Sequence, residues 1–246
     1  MILLIDTGNT RIKWGLRDCG RWIEQGALAH AEVLELRTHI AGRAPILRTL
    51  GTHVAGTDVA ERISAALAGL APPVEWIRAS ASCCGVRNRY LQAEQLGPDR
   101  WAALIGARRL APGRACLVVT AGTATTIDVL SAEGEFSGGV ILPGEELMRR
   151  SLAGNTARLP MADGELVALP RCTMDAITSG CLHAQAGAIE RMYEQISGQA
   201  DPQCLLNGGA AERIAPALRI PFLLTDNLVL EGLAAIAENH TPDVGA

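Results

Sequence analysis

Two stretches of this chain repeat one another. Leu117-Val118-Val119-Thr120-Ala121-Gly122-Thr123 falls on Leu3-Leu4-Ile5-Asp6-Thr7-Gly8-Asn9, an offset of 114 residues, and a second apolar segment follows each turn. A strand, a glycine turn and a strand, once per half, constrain the fold more than any single motif does. Two similar lobes follow, 1–113 and 114–246, with a cleft between them as the expected ligand site. The 246 residues are enough for such a pair, and each half reads as a β-meander followed by alternating helices and strands. The fold class is therefore α/β with mixed sheets.

The elements follow from periodicity. Residues 2–6 form a buried apolar run, and Ile12, Trp14 and Leu16 alternate with Arg11, Lys13 and Arg17, which predicts strands over 2–6, 11–17 and 21–28. Helices are expected at 31–42 and from Thr57 or Asp58 to about Leu70, and strands at 46–54 and 74–79. Gly97-Pro98 opens a helix to about Leu110, because proline lacks the amide hydrogen that would be unpaired at the first helical position. In the second half, 116–130 repeats the first hairpin and a strand follows at 136–144. Helices are expected at 145–153, 173–196, about 209–216 and 228–239, the last capped by Asn227, with short strands at 203–207 and 220–224.

Composition narrows the function. A formal charge of −4 without a basic stripe argues against a nucleic-acid partner. No segment approaches the length of a membrane span, and Asp6 interrupts the short apolar start, so no membrane partner and a cytoplasmic location are expected. Seven cysteines without a Cys-x-x-Cys pattern read as reduced and inert, the adjacent Cys83-Cys84 included, since nothing nearby in sequence activates a thiolate. The five histidines show no metal-ligand spacing.

The glycine turns carry the chemistry. Asp6-Thr7-Gly8-Asn9-Thr10 offers backbone amides in a concave row, and Gly8 permits close approach of a phosphate. Asp6, at a strand end, supplies a carboxylate for Mg²⁺, while Asn9 and Thr10 can donate to phosphate oxygens. Taken singly, either hairpin is also an ordinary turn; the repetition favours a pair gripping the phosphates of ATP. Lys13 is the only lysine in a chain that otherwise uses arginine, and lysine is a compact point charge suited to phosphate. Asp99, in Gly97-Pro98-Asp99-Arg100, fits the first turn of a helix for dipole reasons alone; its functional reading is a general base for an alcohol, with Arg100 holding an anionic group of the acceptor. A loose phosphoryl-transfer transition state asks more for positioning than for basicity.

Together these residues resemble the type III pantothenate kinase family, over nearly the whole chain. The pieces are Asp6-Thr7-Gly8-Asn9-Thr10 with Lys13, Gly97-Pro98-Asp99-Arg100, and the run from Gly122 to Asp128. Gly138-Gly139-Val140-Ile141-Leu142-Pro143-Gly144, Thr156-Ala157-Arg158-Leu159-Pro160 and Leu228-Val229-Leu230-Glu231-Gly232-Leu233 complete the set. The resemblance implies two tandem ribonuclease H-like domains of the acetate and sugar kinase/Hsp70/actin fold, a homodimer, and ATP-dependent phosphorylation of pantothenate. By position, Asp6, Thr7, Gly8, Asn9, Thr10, Arg11, Ile12 and Lys13 would bind ATP phosphates, with Asp6 on Mg²⁺ and Thr123 as a further ATP contact. Asp99 would be the proton acceptor. Tyr90, Gly97, Pro98, Asp99 and Arg100 would bind pantothenate, joined by Thr173 from across the dimer. Two positions depart from the family. Thr120 stands where many members carry an aspartate that serves a monovalent cation, K⁺ or NH₄⁺; its neutral oxygen is a weaker ligand, so K⁺ dependence is expected to be weak or absent. Asn207-Gly208-Gly209 replaces a common Thr-Gly-Gly, for which a tuning effect is expected. The alternatives are a kinase for another small alcohol or sugar, or a non-catalytic regulator on the same fold.

Overall fold

The computed structural model describes residues 1–239 apart from 157, 158, 160 and 162. It divides into two compact units, residues 1–110 with the chain from Asn227 onward, and residues 111–226. The seven residues after 239 and parts of the Thr156–Pro160 motif (Ala157, Arg158 and Pro160) lie outside the described residues. Among the described residues no helix is long and apolar enough to cross a membrane.

In the first unit β1 (Ile2–Thr7), β2 (Arg11–Asp18) and β3 (Arg21–Ala29) form the expected meander, joined by β4 (Arg48–His53) and β5 (Glu75–Trp76) in the order β3-β2-β1-β4-β5. β1 runs antiparallel to β2 and parallel to β4. One register row therefore sets Lys13, Asp6 and Thr52 side by side. Leu3, Ile5, Ile12, Trp14 and Leu16 are buried on the same core as Val33, Leu36, Val59 and Ile63, which explains why the period-2 pattern was readable. The expected helix at 31–42 is instead a 3₁₀ stretch, His30–Glu35, followed by α1 (Leu36–Ile40). α2 spans Thr57–Leu67 with Gly56 at its N-cap. Strand 74–79 shrinks to the two residues of β5, and an unexpected hairpin, β6 (Ser82–Cys83) with β7 (Val86–Asn88), follows. Helix α3 (Pro98–Leu110) starts and ends where expected.

The second unit repeats this plan. β8 (Cys116–Ala121), β9 (Ala124–Leu130) and β10 (Glu135–Pro143) form the meander, with β11 (Gln203–Asn207) parallel to β8 and β12 (Leu223–Leu224) beyond it. These five strands take the order β10-β9-β8-β11-β12, which repeats that of β1 to β5, and the helices here are α4 (Glu145–Asn155), α5 (Thr173–Tyr193) and α6 (Ala211–Ile214). The repeat has one irregularity. Thr7 pairs with Ile12 but Ala121 pairs with Thr125, so the second turn is a residue shorter and the position equivalent to Lys13 is Thr126.

The last helix, α7 (Leu228–Asn239), packs on α3 within the first unit, where a division at residue 113 would place it with the second half. The contact is made by glycines: a Cβ on Gly232 would come within 1.8 Å of the Ala102 carbonyl oxygen, and one on Gly106 within 2.3 Å of that of Leu228. Around it, buried Arg17 pairs with Glu238 (2.9 Å), Arg109 with Glu238 (2.6 Å), and the Trp22 indole N–H donates to Glu231 (2.7 Å). Asn227 precedes α7 with a left-handed φ of 52°, and its side-chain amide donates to Gln25 (2.6 Å).

Candidate active site

The site in the first unit begins at the end of β1. Asp6 leaves the core half-buried, and Thr52, fully buried on β4, donates its hydroxyl to Asp6 Oδ1 (2.7 Å). Burial pushes the Asp6 pKa up to about 6. The Thr52 hydrogen bond and the nearby Lys13 charge oppose that shift, and the Asp99 carboxylate adds to it. Lys13 and Asp99, one close to Asp6 in sequence and one remote from it, thus both bear on the Asp6 carboxylate. Thr52 was not among the expected site residues: its role depends on the β1–β4 register, which no local pattern reveals.

The turn that follows is held from both ends. The Gly8 amide donates to the Arg11 carbonyl (3.1 Å), the Val54 amide donates to the Thr7 carbonyl (3.1 Å), and His30 Nε2–H donates to the Gly8 carbonyl (2.9 Å). Asn9, Thr10 and Arg11 are exposed at its tip, while Thr7 and Ile12 are buried beneath it. Exposed polar groups on a braced turn suit a phosphate, since little order is lost on binding. His30 is a second residue that the sequence did not single out.

Asp99 occupies the first turn of α3, next to Gly97, whose missing side chain leaves room for it: a Cβ there would lie 2.6 Å from Asp99 Oδ1. Arg100 is buried, and its Nη1 donates to the Tyr90 hydroxyl (3.1 Å) with its guanidinium 5.8 Å from the Tyr90 ring centre. Tyr90 is positioned in turn by Asn88, whose Oδ1 accepts from the Tyr90 amide (3.0 Å) and whose Nδ2 donates to the Ala93 carbonyl (3.1 Å). A desolvated arginine with a fixed plane is suited to grip a carboxylate.

Thr123 and Thr173 lie in the second unit. Thr123 is exposed at the tip of the second hairpin, and Thr173 is exposed as the first residue of α5. The second hairpin is braced like the first: the Gly144 amide donates to the Thr123 carbonyl (2.9 Å) and the Ala210 amide to that of Ala121 (3.0 Å). Its strand-end row is Thr126, Thr120 and Asn207, the counterparts of Lys13, Asp6 and Thr52. Among the described residues no group of three His, Cys, Asp or Glu side chains could hold a metal by itself. A single half-buried carboxylate at Asp6, oriented by one hydroxyl donor, fits a Mg²⁺ ion whose other ligands are phosphate oxygens and water.

A five-strand arrangement found once in each unit, with a braced glycine hairpin in each, defines a protein of the acetate and sugar kinase/Hsp70/actin fold class. Solved structures agree at the level of fold. A conserved Baf-family protein from Campylobacter jejuni superposes with a TM-score of 0.60 at 21% identity, covering 96% of this chain and 98% of that one. The ADPNP-bound activator of the 2-hydroxyisocaproyl-CoA dehydratase from Clostridium difficile gives 0.53 at 12% identity, covering 100% and 99%. Sequence goes further. Residues 2–195 match the family model of type III pantothenate kinase. The type III pantothenate kinase of Aromatoleum aromaticum is 60% identical over 237 residues, 96% of this chain and 98% of that protein. The chain belongs to the type III pantothenate kinase family.

Proposed function

We propose that the protein transfers the terminal phosphoryl group of ATP to the primary hydroxyl of pantothenate, giving 4′-phosphopantothenate in the first step of coenzyme A biosynthesis. Family membership supports the reaction, and one observation carries the residue assignment. It is that the Asp99 carboxylate, at the start of α3, adds to the upward shift of the Asp6 pKa, which supports reading the two as parts of one site.

The residue roles in this proposal are as follows. The backbone of the turn tip and the exposed side chains of Asn9, Thr10 and Arg11, with Lys13 beside Asp6, hold and neutralise the phosphates. Mg²⁺, held by Asp6, would supply further charge neutralisation on the phosphate oxygens. Asp99 accepts the hydroxyl proton late in the transfer, when a modest base suffices. Buried Arg100, steadied by Tyr90, binds the pantothenate carboxylate, and Gly97 and Pro98 shape the floor beside it. Thr123 is an ATP contact. Thr173 reaches pantothenate across a homodimer, which rests on the family resemblance, and the enzyme works in the cytoplasm, which rests on the absence of a membrane-length apolar segment from the sequence.

The test is ADP release measured with pantothenate and with a panel of sugars and small alcohols. Release that depends on pantothenate is expected. Release with a different alcohol alone would favour another kinase of the same fold, and none at millimolar substrate would favour a regulator.

A further inference from the structure

The two departures from the family pattern, Thr120 and Asn207, are one structural unit. They are neighbours in the β8–β11 register, as Asp6 and Thr52 are in β1–β4. In the first unit a hydroxyl donates to a carboxylate. In the second, Asn207 is buried and its side-chain Nδ2 donates both to the Val119 carbonyl (2.8 Å) and to Thr120 Oγ1 (3.0 Å). An amide nitrogen has two hydrogens, and both are used here.

The family resemblance implies a monovalent cation at this strand end. These residues do not fit one. Thr120 brings no charge, and its Oγ1 and the Val119 carbonyl oxygen already accept from the Asn207 amide; a cation drawing on those two oxygens would compete with that amide and, by displacing it, leave its donors unpaired in a buried place. We propose that the Asn207 amide does internally what a monovalent cation would do at this strand end, and that the enzyme needs no such ion. Asn207 is a positioning residue. It ties β11 to the last residues of β8, directly before the second hairpin, whose Ala121 carbonyl is held by the Ala210 amide. The inference rests on the kinase reading for its rate assays and is independent of it for its stability assays.

The experiment compares K⁺, NH₄⁺ and Na⁺ chlorides at equal concentration. Wild-type turnover and melting temperature should be the same in all three. Asn207→Ala opens the two oxygens; its turnover should fall about tenfold or more, the scale of a lost buried hydrogen bond. Ammonium, which carries N–H donors of its own, should restore part of the loss, and Na⁺ should not. Thr120→Asp combined with Asn207→Thr copies the Asp6–Thr52 pair into the second unit and should make the melting temperature higher in K⁺ than in Na⁺, a readout that needs no activity. A wild-type rate or melting temperature raised several-fold or several degrees by K⁺ or NH₄⁺ overturns the proposal. So does an Asn207→Ala enzyme that ammonium leaves unchanged, or a double variant indifferent to K⁺. If no variant turns over pantothenate in any salt, the kinase reading fails, and the melting comparison still decides the cation question.

Discussion

At the scale of single residues, Asp6 sits where its own charge is disfavoured. Its folded pKa of about 6 lies above the ordinary 3.8, chiefly through burial. A raised carboxyl pKa means that the folded state binds its proton more tightly than the unfolded chain, so this contribution to stability is complete below about pH 4 and is lost as pH rises through about 6. In metal-free protein, Asp6→Asn should therefore raise the melting temperature at pH 8, by the equivalent of about 1–3 kcal/mol, and give no gain at pH 4. The same variant should lose phosphoryl transfer. Melting curves in chelator at the two pH values check the first claim; identical shifts at both would show that the carboxylate is not held against its charge. Asp99 is the proposed proton acceptor. Asp99→Asn keeps the shape and removes the carboxylate, so turnover should fall by about two orders of magnitude or more while ATP still binds. Near-normal turnover in that variant would remove Asp99 from the chemistry.

At the scale of elements, the glycines between α3 and α7 decide where Asp99 stands. Gly232 meets the Ala102 carbonyl and Gly106 meets that of Leu228, so any side chain there forces the two helices apart. Gly232→Ala should cost about 2–3 kcal/mol, typical of overpacking, and lower the melting temperature by several degrees. It should also lower turnover, since α3 carries Asp99 and Arg100. Gly187→Ala, in α5 with open space around it, should instead stabilise by about 0.5–1 kcal/mol. If both substitutions act alike, helix propensity rather than crossing distance governs the site. The contrast also shows what could be read in the sequence. Strand β1 was legible as an apolar run buried on both faces, β2 because Ile12, Trp14 and Leu16 line the core, and α3 because Gly97-Pro98 marks its start. Thr52 and Asn207 were not legible as partners of Asp6 and Thr120, since parallel register across dozens of residues leaves no local trace. The β6–β7 hairpin was missed because its strands are two and three residues long and its turn uses Cys84, a non-glycine residue with a φ of 49°. The α7 contact was missed because a glycine in an apolar helix looks like a weak helix former until its neighbour is known.

At the scale of the whole molecule, the open matter is how many chains make one active site. Asp6, Lys13, Tyr90, Asp99 and Arg100 all belong to the first compact unit, whereas Thr173 stands exposed at the start of α5 in the second. The family resemblance has Thr173 serve a neighbouring chain in a homodimer, and that arrangement has an arithmetic signature. Suppose Asp99→Asn and a bulky Thr173→Phe are each inactive. In a mixed dimer with sites shared between chains, one site receives both defects and the other receives none. Random pairing at equal amounts makes half of the dimers mixed, so unfolding and refolding the two variants together should restore about a quarter of wild-type turnover. If Thr173 serves its own chain, each site in a mixed dimer carries one defect and nothing is restored. Sedimentation of the wild-type chain must show a dimer for the experiment to bear on sharing, and a monomer that turns over pantothenate would by itself end the cross-chain role of Thr173. Recovery near a quarter would mean that the acceptor pocket closes only when two copies meet. The concentration at which the dimer forms would then set a lower limit on the concentration at which the enzyme works, because a lone chain would hold ATP phosphates and the proton acceptor but lack the group that completes the pantothenate site.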